Sequence, residues 1–279
     1  MNGYIPLADW VETAVDYILI HCKGFFDVLK AIIWFAWFNV EEVLAFIPWW
    51  ALVVLLALVA WRYAGRNVAI LTFLGLLFLQ GLGVWDGMVR TLSLVITAVV
   101  FCIVLGIPLG IWAARSDLVH AIVRPVLDFM QTMPSFVYLI PALMLFGLGP
   151  VPALISIVIF AMPPLVRLTD LGIRQVSPSL LEAARAFGST PNQILTKVQL
   201  PLALPTIMTG VNQAIMLALS MSVIASMIGA GGLGDEVLYG ITRVQVGRGF
   251  VGGISIVIVA VVLDRMTQGI RQRWREKEV

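Results

Sequence analysis

The sequence predicts an all-α, polytopic membrane protein, and three observations lead there. Of its 279 residues, 60% are apolar and only 12% charged, with a mean hydropathy of +0.98. Soluble domains run at about 45–50% apolar and about 25% charged. Charge-free stretches recur at the length of a bilayer crossing, about 20 residues at 1.5 Å each. Lys and Arg then fall mainly on one side of the spans so defined. The net charge of +2 marks no nucleic-acid surface. Cys22 and Cys102 lie far apart, the second in a wholly apolar run, so neither a disulfide framework nor a metal cluster is indicated.

Residues 1–42 interrupt an aromatic and aliphatic stretch with Asp9, Glu12, Asp16, Lys23, Asp27, Lys30, Glu41 and Glu42. They read as interfacial amphipathic helices, clearest over 25–38, with Trp34 and Trp37 suited to the headgroup level. An additional short span there is the alternative. The opening residues lack a basic region, so no cleavable signal peptide is expected. Residues 43–61 and 67–85, each 19 uncharged residues, predict two accessory helices within 43–85, and 91–114 a third span. The 38 uncharged residues 129–166 exceed one crossing, and Gly147-Leu148-Gly149-Pro150 divides them into a tight two-span hairpin. Residues 204–228 and 249–263 complete seven spans, with Gly106 and Gly110 spaced for close helix contact. An outside N-terminus and a cytoplasmic C-terminus put thirteen of the eighteen basic residues inside, including Arg271, Arg273, Arg275 and Lys277 of a basic tail at 269–279.

The largest polar interruption, 167–200, carries the functional signal. Ser179 and Glu182 have capping-box spacing, and Leu180, Leu181, Ala184 and Phe187 recur at helical intervals. Gly188 ends that helix, and Thr190-Pro191 starts a second one running toward Leu200-Pro201. The expected product is helix, glycine turn, helix, exposed to the cytoplasm.

Glu182-Ala183-Ala184, Gly188 six residues after the glutamate, and Leu200-Pro201 resemble the EAA loop of ABC importer permeases, with Val198 where that motif usually has Ile. QTMPSFVYLIPAL (131–143), FAMPPLVRLTDLGIRQV (160–176), the AFGST run and NQAIMLALSMSVIASMIGAGGLG (212–234) extend the resemblance to permeases of glycine betaine/proline betaine importers, over roughly 85–268. The resemblance implies a type I importer core at 86–268 in a prokaryotic inner membrane, paired with a second copy of the permease. It also implies two ATP-binding subunits, which hold ATP and Mg, and an extracytoplasmic substrate-binding protein. The short helix would dock in a groove of the ATPase: Glu182 at the rim, Ala183 and Ala184 permitting close approach, Gly188 setting the bend. Leu181 and Phe187 are the apolar anchor candidates, because buried side chains at contact centres dominate docking energy.

The remaining motifs are read more plainly. Gly229, Gly231, Gly232 and Gly234 fit a dinucleotide-type pattern, but that chemistry needs a βαβ unit. The run is expected to be a flexible external loop that touches the binding protein or narrows an outer gate. No GxxxxGK[ST] occurs, so ATP hydrolysis is assigned to a partner and the chain is not read as an enzyme. His21 and His120 look isolated, and no metal site is expected. No Asp, Glu, His, Lys or Arg lies in 91–114, 129–166 or 198–234, whereas ion-coupled carriers commonly place acidic residues or histidines inside the membrane. That favours ATP-driven passage of a solute such as a zwitterion, whose quaternary ammonium is attracted to aromatic faces. Phe129, Gln131, Thr132, Ser135, Phe136, Tyr138, Asn212, Gln213, Ser220, Ser222 and Ser226 are the pathway candidates; the alternative is that the polar ones join helices. Choline, carnitine or proline import is the near alternative to betaine, and a stand-alone carrier, channel or membrane scaffold the distant one.

Overall fold

A computed structural model describes residues 6–276, and among them the regular elements are all helical. Helix α1 covers Leu7–His21 and α2 covers Lys23–Phe46; α2 then meets α3, Trp49–Ala64, at 104°. Pro48 causes the corner: it has no N–H for a continuing helix and holds Ile47 extended at φ −72°, ψ 122°. Residues 43–46 therefore end the amphipathic helix rather than begin the first accessory span. Trp37 also departs from expectation. It is 3% exposed, buried beside Ile33 where α2 rests on the core, and its ring lies 5.8 Å from the Arg90 guanidinium. Burying that ring on the protein wins over a place among the headgroups.

Helix α4, Arg66–Gly81, folds back on α3, and both rest against α13, Val246–Glu276. Val54, Leu58 and Trp61 of α3, with Ile70, Leu74 and Phe78 of α4, form an outward apolar face of the kind lipid covers.

Three long helices make the core: α5 (Trp85–Arg115), α8 (Pro150–Arg174) and α11 (Leu200–Ala225), with α8 packed against both others. Lipid is as apolar as leucine, so burial alone does not join membrane helices; close backbone approach must. The sequence provides it. A Cβ on Gly110 would lie 2.6 Å from Cβ of Thr169, and one on Gly210 would lie 3.0 Å from Cα of Leu165. Glycines on α5 and α11 thus grip α8 from two sides, which is the packing role foreseen for Gly106 and Gly110. Leu154, Ile157 and Leu165 fill the contact between them.

Helix α6 (Asp117–Thr132) is followed by a short turn, Ser135–Tyr138, and by α7, Leu139–Phe146, the two limbs bent by 107°. The first limb of the hairpin expected at 129–166 is consequently not one straight span. Phe129, Gln131 and Thr132 belong to the end of α6, and Pro134 breaks the chain before α7. Among the described residues, four stretches are individually long and apolar enough to cross a membrane: α5, α8, Pro191–Ile228 and α13 over Val246–Ile270. The bent pairs α2/α3 and α6/α7 raise the number to six, and α4 is a shorter apolar helix of 16 residues. Side chains from 271 onward and residues 277–279 lie outside the described residues, and with them the basic groups of the tail.

Candidate functional site

The segment between α8 and α11 folds as the punctuation requires, with one shift. Helix α9 spans Pro178–Ala186, with Ser177 at the N-cap position making no side-chain cap bond and Pro178 in the first turn, so the start lies two residues before Ser179. Ser179 instead shares a 2.7 Å hydroxyl contact with Ser177. Proline explains the earlier start, since its fixed φ is already helical and its missing N–H costs nothing at that position.

The end of α9 is a Schellman motif: Gly188 N–H donates to Arg185 O (2.9 Å) and Ser189 N–H to Ala184 O (3.0 Å), with Gly188 at φ +78°. Thr190 then caps α10, Pro191–Ile194, by a reciprocal pair. Gln193 N–H donates to Thr190 Oγ1, and Thr190 N–H donates to Gln193 Oε1 (2.8 Å). Through a π-turn at Leu195–Gln199 this helix runs straight on into α11. The second helix of the loop is therefore the start of a membrane span, and Pro201 sits in the first turn of α11 instead of ending a separate element. Prolines at 201 and 205 cannot donate, which removes ordinary helical bonds to the preceding turn and favours the wider π spacing there.

Nothing in α9 is fully buried. Glu182, Ala183 and Arg185 are exposed, and Phe187 shows 90% of its surface, so a short helix closed at its C-terminal end by the Gly188 turn presents an outward aromatic ring. Leu181 differs: it is half-buried and faces a cavity between α9 and the ends of α5 and α8. Leu180, 47% exposed, takes the outward place, and only the three-dimensional direction of α9 distinguishes the two leucines.

The pathway candidates separate into two groups. Phe129, Gln131, Thr132, Phe136, Gln213 and Ser220 are exposed; Ser222 and Ser226 are buried and donate to the backbone carbonyls of Leu219 and Val223. Both hydroxyls are thus bonded within their own turn of the chain. Ser135 is half-buried. Tyr138 is buried, its hydroxyl donating to Met130 O across the bend between α6 and α7. Asn212 is committed as well, donating to Asp264 (3.0 Å) and accepting from Thr267, which joins α11 to α13. Gln213, Ser220 and Met227 recur every seven residues on the exposed side of α11. The exposed stripe of α5, by contrast, is Val100, Val104 and Trp112, fully apolar.

Two arrangements were not foreseen. His120 is not isolated: its Nδ1 lies 2.7 Å from Asp170, within a ladder that straps α6 antiparallel to α8. The other rungs are Asp117–Arg174 (2.8 Å) and Asp128–Arg167 (2.6 Å), and Arg174 also reaches Asp170 (2.9 Å). Charges at 117, 120, 124 and 128 opposite apolar Leu118, Ile122, Val126 and Phe129 are a readable amphipathic signal for α6.

The second concerns the glycine run at 229–234. It is no flexible loop but a packed turn: Leu233 is 0% exposed, its N–H donates to Thr91 Oγ1 (2.8 Å), and Gly149 N–H donates to Ile228 O (2.9 Å). Leu233 opens a further helix, α12 (Leu233–Thr242), with Asp235 and Glu236 in its first turn, the acidic signal of a helix start. Arg248 holds Glu236 through two hydrogen bonds and lies 3.9 Å from the Tyr239 ring, closing α12 onto α13. These bonds keep the Glu236 carboxyl below the usual carboxylate range, against the opposing effect of burial.

The architecture is a core of long apolar helices gripped together at glycines, with one short exposed helix, α9, at its polar end. The chain belongs to the family described as binding-protein-dependent transport system inner membrane component, which it matches over residues 106–276. It is 52% identical over 277 residues to the glycine betaine/carnitine transport permease protein GbuB of Listeria monocytogenes, covering 98% of each chain. Identity is 50% to the glycine betaine transport system permease protein OpuAB of Bacillus subtilis, over 98% of this chain and 97% of that one. It is 48% to the glycine betaine/proline betaine transport system permease protein ProW of Escherichia coli, over 98% and 77%. The permease of the inward-facing MetNI methionine ABC transporter shares the fold at a TM-score of 0.62 and 23% identity, covering 71% of this chain and 96% of its own. The chain is thus a permease component and not an enzyme, working with a separate ATPase and a substrate-binding protein.

Proposed function

We propose that the substrate is glycine betaine or a close quaternary-ammonium zwitterion, moved by alternating access and coupled through α9 to a partner that binds ATP and Mg. The observation that carries the coupling role is the exposed α9, ended by the Gly188 turn, with Phe187 showing 90% of its surface. A ring so exposed costs water contact on its own and is repaid when a groove covers it. Glu182, Ala183, Ala184 and Gly188 shape that contact, and Leu200-Pro201 passes the movement into α11. The substrate reading is supported by the relatives' names and by the absence of Asp, Glu, His, Lys and Arg in 129–166 and 198–234.

The assembly is two copies of this chain with two ATPase subunits, with seven spans, the N-terminus outside and the C-terminus cytoplasmic. A polar exposed stripe on a spanning helix is costly against lipid, and Gln213 and Ser220 support a second permease or the path itself as what covers α11. Reconstitution of the chain with its ATPase and binding protein should give ATP-dependent uptake of radiolabelled glycine betaine. Gly188→Val and Glu182→Lys should abolish uptake while the protein still inserts. Full uptake by both variants removes the coupling assignment; uptake without ATPase or binding protein removes the importer reading; unlabelled carnitine or choline outcompeting betaine reassigns the substrate.

A further inference from the structure

Behind α9, on the side opposite Phe187, the structure holds a cavity of about 490 Å³ between the coupling helix and the ends of α5 and α8. Leu181, Arg185 and Ser189 line it from the loop, Arg115 and Ile173 from the span ends, and Gln199 from the π-turn. Its only charged lining residues are the two arginines. Neither guanidinium, both on exposed residues, makes a hydrogen bond or ion pair among the described residues, although Arg167 and Arg174 are matched to Asp128, Asp117 and Asp170.

Two like charges around one cavity repel each other, and the cavity has no carboxylate to offset them. What it does have is neutral donors, the Ser189 hydroxyl and the Gln199 amide, beside two planar guanidinium groups. That set matches a phosphate, which accepts paired N–H bonds from arginine and further bonds from hydroxyl and amide. The location fits as well, since α5 and α8 end here, where the phosphate layer of a bilayer begins.

We propose that this cavity binds a phosphate group, which ties the coupling helix through Arg185 to the end of α5 through Arg115. The phosphate comes either from an anionic phospholipid headgroup or from a free phosphorylated solute. Its presence holds α9 at a fixed tilt relative to the spans, so occupancy regulates how firmly movement passes between α9 and the core. The site stands on the cavity and its two arginines, independently of the transported substrate.

The test uses the full chain in nanodiscs of phosphatidylcholine, with or without phosphatidylglycerol, and separately with pyrophosphate added to the neutral discs. Thermal unfolding and native mass spectrometry read binding. Wild-type protein should melt higher with one or both probes. Arg115→Gln combined with Arg185→Gln should lose that gain and retain the probe roughly thirtyfold more weakly, the factor for two arginines at a charged surface. The double lysine variant keeps the charges and should keep most of the gain, which separates binding from a folding defect. Arg265→Gln, at an exposed site outside the cavity, should behave as wild type. A gain with phosphatidylglycerol alone assigns the lipid, with pyrophosphate alone the free anion, and with both the phosphate group itself. No gain from either probe, or an equal gain in wild type and the double glutamine variant, overturns the proposal.

Discussion

The turn at residues 229–233 and the turn at Gly188 stand at opposite ends of α11 and use the same backbone device, glycine with positive φ. Their surroundings differ completely. A Cβ on Gly231 would lie 2.6 Å from the Arg90 side chain and one on Gly232 would lie 2.5 Å from Thr91 Oγ1, whereas a Cβ on Gly188 meets nothing within 4 Å. At the first turn glycine is demanded by backbone and space together, because α5 occupies the volume a side chain needs. At the second it is demanded by backbone alone. A turn that holds its own protein together is filled in, while the turn beside α9, where we propose that another protein docks, is left bare. That contrast explains why the outer glycine run, read from sequence as mobile, is part of the core.

The comparison can be broken at several points. The largest effect is expected for Gly232→Val, which combines a forbidden φ with a collision in a packed site. It should cost about 3 kcal/mol or more, read as a fall in folded yield and melting temperature. Phe187→Ala should leave melting nearly unchanged, within about 0.5 kcal/mol, yet weaken binding of the ATPase by about 2 kcal/mol. Equal loss of stability in the two variants would erase the distinction. Thr91→Val leaves the buried Leu233 N–H without its acceptor and should cost about 1–3 kcal/mol by thermal unfolding. Gly188→Ala carries only the left-handed backbone penalty and should cost about 1 kcal/mol, with no change in core packing.

The smallest effect is a pH dependence at Glu236. Its carboxyl is held below its unfolded value by Arg248, so the stabilisation is present above the ordinary carboxylate range and disappears as pH falls through the lowered native value. Melting curves taken across that acid range should show the loss in wild type and not in Glu236→Gln.

Particular residues show where sequence reading reached and where it stopped. The coupling loop was legible because its signals are local: Gly188 for the left-handed C-cap, Thr190-Pro191 for the next start, Phe187 at helical spacing. The core pairing of Gly110 was legible as a spacing, though its partner Thr169 was not. His120 and Asp170 lie fifty residues apart, and no periodicity connects them; the ladder exists only once α6 folds back along α8. Leu180 and Leu181 are chemically identical neighbours, and their different exposure depends on which way α9 is turned. The corner at Pro48 was present in the sequence but outweighed by the uninterrupted apolar run around it.

Composition and charge placement by themselves determined that this is a helical membrane protein with one long polar interruption at 167–200, because a bilayer tolerates few charges and leaves each span to satisfy its own backbone. Tertiary structure alone decided which apolar stretches bend, which glycines are locked against α5, and which polar side chains are already spent on neighbours. Those outcomes depend on contacts between residues distant in the chain, where steric fit and hydrogen-bond satisfaction, not local propensity, choose among arrangements that the sequence permits equally.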